Sequence, residues 1–315
     1  MFIGHAFLAF TLVAAVAARR GSDTAAAVRL GTIAALFSLL PDIDIIHTWT
    51  ALGTLLGAGI TGFPGAFWEA SRAAHRGLSH SVVTGLVGAA AFTVYHRMRR
   101  PAVAAAVIAG LTGMAYAVGG TISAGVAVVF AVAGLGLTAA VQRRMPTRQT
   151  AFFAAAATGL IVHPFTDLFT GSPPAILAPF PVTLFPQRIV LWPEPTVNLV
   201  AVFLLEIGLI LTGVLTYLYL TGRPPTRFIH PAAGIGVLFV AVAPVLRPPT
   251  VTVSYQFVYA ILAVGLLAGA VSAGLWDASQ ETGRKEQLFA ALLTGPVAVI
   301  LGSIAYVAGY WWLAL

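Results

Sequence analysis

The chain has 315 residues, 59% of them hydrophobic and only 9% charged, which excludes a water-soluble globular enzyme because no polar exterior could be drawn from such a composition. The net charge of +7 does not point to nucleic acid, since basic loops normally flank membrane helices. There is no cysteine, so disulfides and thiolate metal sites are excluded as well.

Uncharged runs of about 17–25 residues, the length that crosses hydrocarbon, recur along the chain and predict an all-α, polytopic transmembrane helical bundle of about nine or ten membrane helices. The first run, 2–18, ends in small residues suited to signal cleavage. No basic segment precedes it, and Arg19 and Arg20 follow it, so a retained helix is expected. A second helix is predicted over 28–40. Residues 51–67 are apolar but rich in glycine and read as a re-entrant or interfacial segment. A third helix follows over 81–95. The next two, 101–117 and 119–141, have only Gly119 and Gly120 at their junction, which predicts a tight helical hairpin. After a helix over 150–169, residues 170–196 form a loop rich in proline and aromatic side chains. Further helices are expected over 197–220, 232–246, 255–275 and 289–313. On this reading residues 1–196 form one membrane domain, and 197–315 add transmembrane helices with no assigned role.

The basic residues orient the bundle. Arg19, Arg20, Arg29, Arg97, Arg99, Arg100, Arg143, Arg144, Arg148, Arg223, Arg227, Arg284 and Lys285 fall in the connections on one side, thirteen of the 17 Lys and Arg. The other side holds Arg72, Arg76, Arg188 and Arg247. Positive charge marks the cytoplasmic face. Both termini are therefore expected outside the cytoplasm, in a protein of the plasma (inner) membrane.

Histidines and aspartates, not used in that assignment, gather on the opposite face. His5 lies at the outer end of the first helix, and Asp42, Asp44 and His47 follow the second. His75 and His80, in "HRGLSHS", precede the third helix, while His163 and Asp167, in "HPFTD", close the helix over 150–169. His96 and His230 fall beside basic loops and are expected to be bystanders. His163 and Asp167 are four apart and share one helix face, so both can reach one ion. His75 and His80 need a turn between them, which Gly77 supplies. Asp42 and Asp44 flank Ile43 and would point the same way in an extended segment. Taken alone, His5 is an interfacial polar residue and Asp42 a helix terminator; the carboxylate within an apolar helix, Asp167, is the costly one and speaks for function.

Imidazole and carboxylate ligands without sulfur suit a divalent metal, Zn²⁺ first, with Mn²⁺ or Fe²⁺ also fitting. One or two such ions would activate water for hydrolysis. Asp44 is the candidate general base, and Arg76 offers a fork for a phosphate; Ser79 and Ser81 orient ligands or cap the third helix. The partners implied are the lipid bilayer and an amphiphilic or lipid-linked substrate, with no nucleic acid. Two other readings use the same residues: an ion-binding transporter, which would spread polar groups through the bilayer, and a non-catalytic membrane protein whose polar groups satisfy one another.

"GHAFLAF", "LLPDIDIIH", "HRGLSHS" and "GLIVHPFTDLFT" together resemble the YdjM-like family of membrane-bound metal-dependent hydrolases, also described as LexA-binding inner-membrane proteins. That family carries an N-terminal His, Pro-Asp-x-Asp, His-Arg-Gly-x-Thr-His-Ser and His-x-x-x-Asp in this order. Here Ser79 replaces the usual threonine and keeps the hydroxyl. The resemblance covers roughly residues 1–190 and implies metal binding by His5, Asp42, His75, His80, His163 and Asp167. The ligand order is also similar, more loosely, to that of zinc-dependent phospholipase C and P1-type nucleases, which implies phosphoester substrates.

Overall fold

The apolar runs fold as helices in the computed structural model, which describes residues 3–57, 59–73, 76–251, 253–279 and 283–314. There is no strand among the described residues. The chain divides into two compact units, residues 1–189 and 190–315.

The first unit opens with α1 (Gly4–Arg19) and α2 (Thr24–Ser38). Asp23 starts α2 as its N-cap, accepting from the Ala26 amide at 2.7 Å. Pro41 does not release the chain into an extended segment. Residues Pro41–Ala51 wind into a 3₁₀ helix that carries Asp42 and Asp44, and two short helices, α3 (Leu52–Gly57) and α4 (Gly59–Ala73), occupy the stretch expected to be re-entrant or interfacial. A one-turn 3₁₀ segment, Leu78–His80, then leads into α5 (Val82–Met98). Ser81 caps α5 by accepting from the amides of Val83 (3.1 Å) and Thr84 (3.4 Å).

The two runs expected to form a hairpin are one helical element, α6 (Pro101–Arg144), broken at Gly120, where φ is +67°. Leu111 and Phe130 share one buried core, although in a straight helix they would lie about 28 Å apart. The two halves therefore fold back on each other. Only glycine adopts that dihedral without strain. The last helix of the unit is α7 (Gln149–Thr166), continued by a 3₁₀ turn over Asp167–Phe169.

Packing here cannot rest on the hydrophobic effect alone, because lipid is as apolar as the core; close approach of backbones contributes instead. A Cβ on Gly159 of α7 would collide with the Ala34 carbonyl and come within 2.9 Å of the Ser38 amide, so α2 and α7 touch backbone to backbone. Around that seam Phe37 packs on Phe92 and Phe152 with ring centroids 5.9 and 5.5 Å apart, and Phe92 packs on Phe130 at 5.9 Å. The seam also sets the position of His163, which lies one turn beyond Gly159.

The second unit contains α8 (Pro195–Leu220), α9 (Tyr255–Ser279) and α10 (Arg284–Ala314). Glu194 caps α8, accepting from Thr196 and Val197 amides at 3.0 and 2.7 Å. Between α8 and α9, residues Pro231–Val242 form a 3₁₀ helix whose buried residues, Ala233, Gly236 and Phe239, recur every third position. That is the repeat a 3₁₀ helix places on one face. A Cβ on Gly236 would meet the Ala298 carbonyl of α10, so this face lies flat against its neighbour.

Six of the described helices are long and apolar enough to cross a membrane, and α6, bent double, is counted once among them. α1 and Pro231–Val242 are apolar but shorter. The molecule is an all-helical, polytopic membrane protein.

Candidate metal centre

Four elements of the first unit bring ionisable side chains to one end of the bundle. These are the start of α1 (His5), the 3₁₀ helix after α2 (Asp42, Asp44), the turn before α5 (His80) and the end of α7 (His163, Asp167). The side chains of His5, His80, His163 and Asp167 are fully buried, and Asp42 alone is part-exposed, at 24%.

Asp42, His80, His163 and Asp167 each offer one ligand atom to a common point, with all four atoms within 4.8 Å of one another. Asp42 Oδ1 lies 3.3 Å from His163 Nε2 and 3.6 Å from His80 Nε2; Asp167 Oδ2 lies 3.3 Å from His80 Nε2 and 3.6 Å from His163 Nε2. A tetrahedral ion with bonds of about 2.0–2.2 Å spaces its ligand atoms about 3.3–3.6 Å apart, which these four separations match. The same separations are long for N–H···O bonds, which run at about 2.7–3.2 Å. His163 Nε2 and both ring nitrogens of His5 are buried with no hydrogen-bond partner among the described residues. Buried polar atoms in that state are satisfied by an ion or a water, and here they face a set of ligand-type atoms.

The rings are aimed from behind. His163 Nδ1 donates to the Ser38 carbonyl at 2.7 Å, which fixes the tautomer and leaves Nε2 for the cluster. His80 Nδ1 lies 3.3 Å from Asp44 Oδ2. Asp44 in turn accepts from the Arg76 amide and the Ser79 hydroxyl, both at 3.1 Å. This carboxylate–histidine pairing is the arrangement that orients imidazoles toward metals. Burial opposes protonation of His80, yet the carboxylates of Asp167, Asp42 and Asp44 hold its pKa well above the usual range. The cluster therefore favours positive charge at its centre.

The expectation that Asp42 and Asp44 point the same way fails. At three residues per turn, side chains two positions apart diverge by about 240° rather than lining one face. The two aspartates consequently grip His80 from opposite sides, Asp42 at Nε2 and Asp44 at Nδ1. His5 joins the group through Asp42, its Nε2 lying 3.3 Å from Asp42 Oδ2, and its ring packs on His163 with centroids 4.2 Å apart. His75 lies outside the described residues. His96 is far from this end, stacked on Phe152 with centroids 4.4 Å apart.

Arg76 sits beside the cluster with its fork turned to the chain. Nη1 donates to the carbonyls of Asp167 (3.0 Å), Thr170 and Ser172 (2.6 Å), and Nη2 donates to Thr170 Oγ1 at 2.6 Å. Its Nε lies 3.6 Å from Asp167 Oδ2. Arg76 adopts φ +83°, a conformation uncommon for a residue with a side chain, and these contacts hold it there. Backbone acceptors of this kind, the Ser38 carbonyl included, leave no trace in a sequence. Sequence reasoning assigns no role to Thr170, although it closes the stretch "GLIVHPFTDLFT".

Replacing Asp44 with asparagine is expected to weaken divalent-metal affinity about 10–100-fold, the usual effect of losing a carboxylate behind a ligating imidazole, with helix content unchanged. Titration calorimetry with Zn²⁺ checks this, and wild-type affinity in the variant would show that His80 needs no such support.

Comparison with curated proteins returns no match, and neither does comparison with solved structures. A family model described as YdjM inner membrane protein matches residues 1–249, which takes in all four motifs and continues past the first unit. With its apolar helices and its matching span, the chain is a member of the YdjM inner membrane protein family.

Proposed function

We propose that the protein is a metal-dependent hydrolase that cleaves a phosphoester, or a related bond, in a lipid or lipid-linked substrate at the extracytoplasmic surface of the membrane. The observation that carries this reading is the convergence of Asp42, His80, His163 and Asp167, whose ligand atoms lie within 4.8 Å of one another. Two carboxylates with two imidazoles suit Zn²⁺, Mn²⁺ or Fe²⁺. When bound, such an ion lowers the pKa of water and polarises a phosphoryl oxygen. The chain's own residues hold and aim the ligands and keep bulk water from the buried side. Asp42, the part-exposed member, marks the side from which a substrate reaches the cluster.

Two roles shift from those expected of the sequence. Asp44 is buried behind His80, so in this proposal it positions the imidazole, and no residue is assigned as base. Arg76 ties the turn before α5 to residues 167–172, so it fixes Asp167 rather than clamping phosphate. A transporter would distribute its buried charges through the bilayer depth, whereas these ligands sit at helix ends on one side of the bundle.

Detergent-purified protein loaded with Zn²⁺ or Mn²⁺ is expected to cleave at least one member of a panel of phospholipids, lipid-linked phosphates and soluble phosphodiesters, and chelation should abolish the turnover. A metal-loaded protein inactive on the whole panel would end the phosphoester reading. The placement of the site is tested separately. The chain has no cysteine, so single cysteines at Thr183 and Thr147 can be labelled in intact cells with an impermeant maleimide. Labelling at 183 and protection at 147 are expected from the arginine bias. The reverse pattern would put the site on the cytoplasmic face.

A further inference from the structure

Beside the metal ligands lies a cleft that the hydrolytic reading does not use. Its lining combines the polar side chains of Asp44 and Ser79 with the apolar ones of Leu111, Val126 and Phe130. The two polar groups are next to His80, since Asp44 Oδ2 and Ser79 Oγ lie 3.3 and 3.1 Å from its Nδ1. The apolar walls belong to the two halves of α6, a helical hairpin apolar enough to stand in hydrocarbon. Ile122, one of the lining residues, is 63% exposed, so the cleft reaches the surface of the hairpin there. Thr84 contributes a further group: it is 4% exposed, lines the cleft, and its hydroxyl has no hydrogen-bond partner among the described residues.

We propose that this cleft holds one aliphatic chain of a membrane glycerolipid, entering sideways from the bilayer between the halves of α6, with Thr84 donating to its ester carbonyl. Water is a poor occupant for walls of Leu111, Ile122, Val126 and Phe130, and a peptide would leave its backbone amides without acceptors there. An acyl chain matches the walls, and its ester matches the Thr84 hydroxyl, which has no partner among the described residues. Resting on the hydrolase reading, this assigns the substrate class as a lipid whose chain is held on the Asp44 side of His80 while its headgroup reaches the metal ligands past Asp42.

The test uses the full chain in vesicles of phosphatidylethanolamine and phosphatidylglycerol, doped with a phosphatidylcholine that carries a diazirine on its acyl chain. After irradiation, mass spectrometry should find adducts on Leu78 and on residues 122–130, and Val126→Trp, which fills the cleft, should reduce them about ten-fold. Adducts on Val132, 52% exposed on the same hairpin, should not change. Ala127→Phe serves as the second filling variant if Val126→Trp folds poorly. Wild-type labelling in a filled variant that retains its helix content, or no adducts on the cleft in the wild type, overturns the proposal. Metal content measured on the same samples separates the two readings: cleft adducts on a protein that binds no metal support the lipid site and remove the hydrolase.

Discussion

His163→Ala and Asp167→Ala are each expected to strip the purified protein of divalent metal, from roughly one or two ions per chain to less than about a tenth of one. Both side chains are fully buried and each is held from behind: His163 is aimed by the Ser38 carbonyl, and Asp167 by Arg76. Four-ligand zinc sites bind with about 10–16 kcal/mol, so one ligand of four is worth roughly 3 kcal/mol, or about a hundredfold in affinity. The loss should exceed that figure for Asp167→Ala, because the variant leaves Arg76 beside the ligands without its carboxylate. Elemental analysis after dialysis reads the outcome. His96→Ala is the control, since His96 stacks on Phe152 away from the cluster and should keep the metal. Metal retained in both ligand variants, or absent from the wild type, would leave the cluster as a polar knot with a structural role only.

The residues that are legible in the sequence are those whose geometry is local. His163 and Asp167 declare a shared face by their spacing of four, and in the structure both reach the same ligand ring. Arginine placement marks the ends of α1, α5, α6 and α7, because charge is excluded from hydrocarbon wherever the chain turns. Gly119 and Gly120 announce the bend in α6 for an equally local reason, a dihedral that other residues resist. Asp42 and Asp44 mislead because Pro41 stops an α-helix without specifying the conformation beyond it; a 3₁₀ helix and an extended segment begin with the same sequence signal. Contacts made to backbone atoms across the bundle are out of reach. The Ser38 carbonyl behind His163 and the Gly159–Ala34 approach that sets its distance depend on how α2 and α7 meet, which no spacing encodes.

Arg76→Lys is expected to destabilise the first unit and loosen its metal, although the charge is kept. The guanidinium spreads its donors over three carbonyls and one hydroxyl between residues 167 and 172, at separations only a planar fork can span. An ammonium is a single point with three donors and a shorter reach across the same acceptors. Hydrogen bonds from charged groups contribute about 1.5–3 kcal/mol each, so losing one or two of them puts the cost at roughly 2–4 kcal/mol. Thermal unfolding in detergent should show a lower midpoint, and the Zn²⁺ affinity should fall about ten-fold, because Asp167 loses the group that holds its carboxylate in place. Both effects are expected with no substrate present. That condition separates the two roles open to this arginine. If its fork clamped a phosphate, the lysine variant would unfold and bind metal as the wild type does and fail only in turnover. Arg76→Gly sharpens the comparison, since glycine relieves the φ of +83° while removing every side-chain contact. A glycine variant less stable than wild type places the side-chain contacts above the backbone strain, and one that is more stable would show that the strain at Arg76 outweighs everything its guanidinium holds.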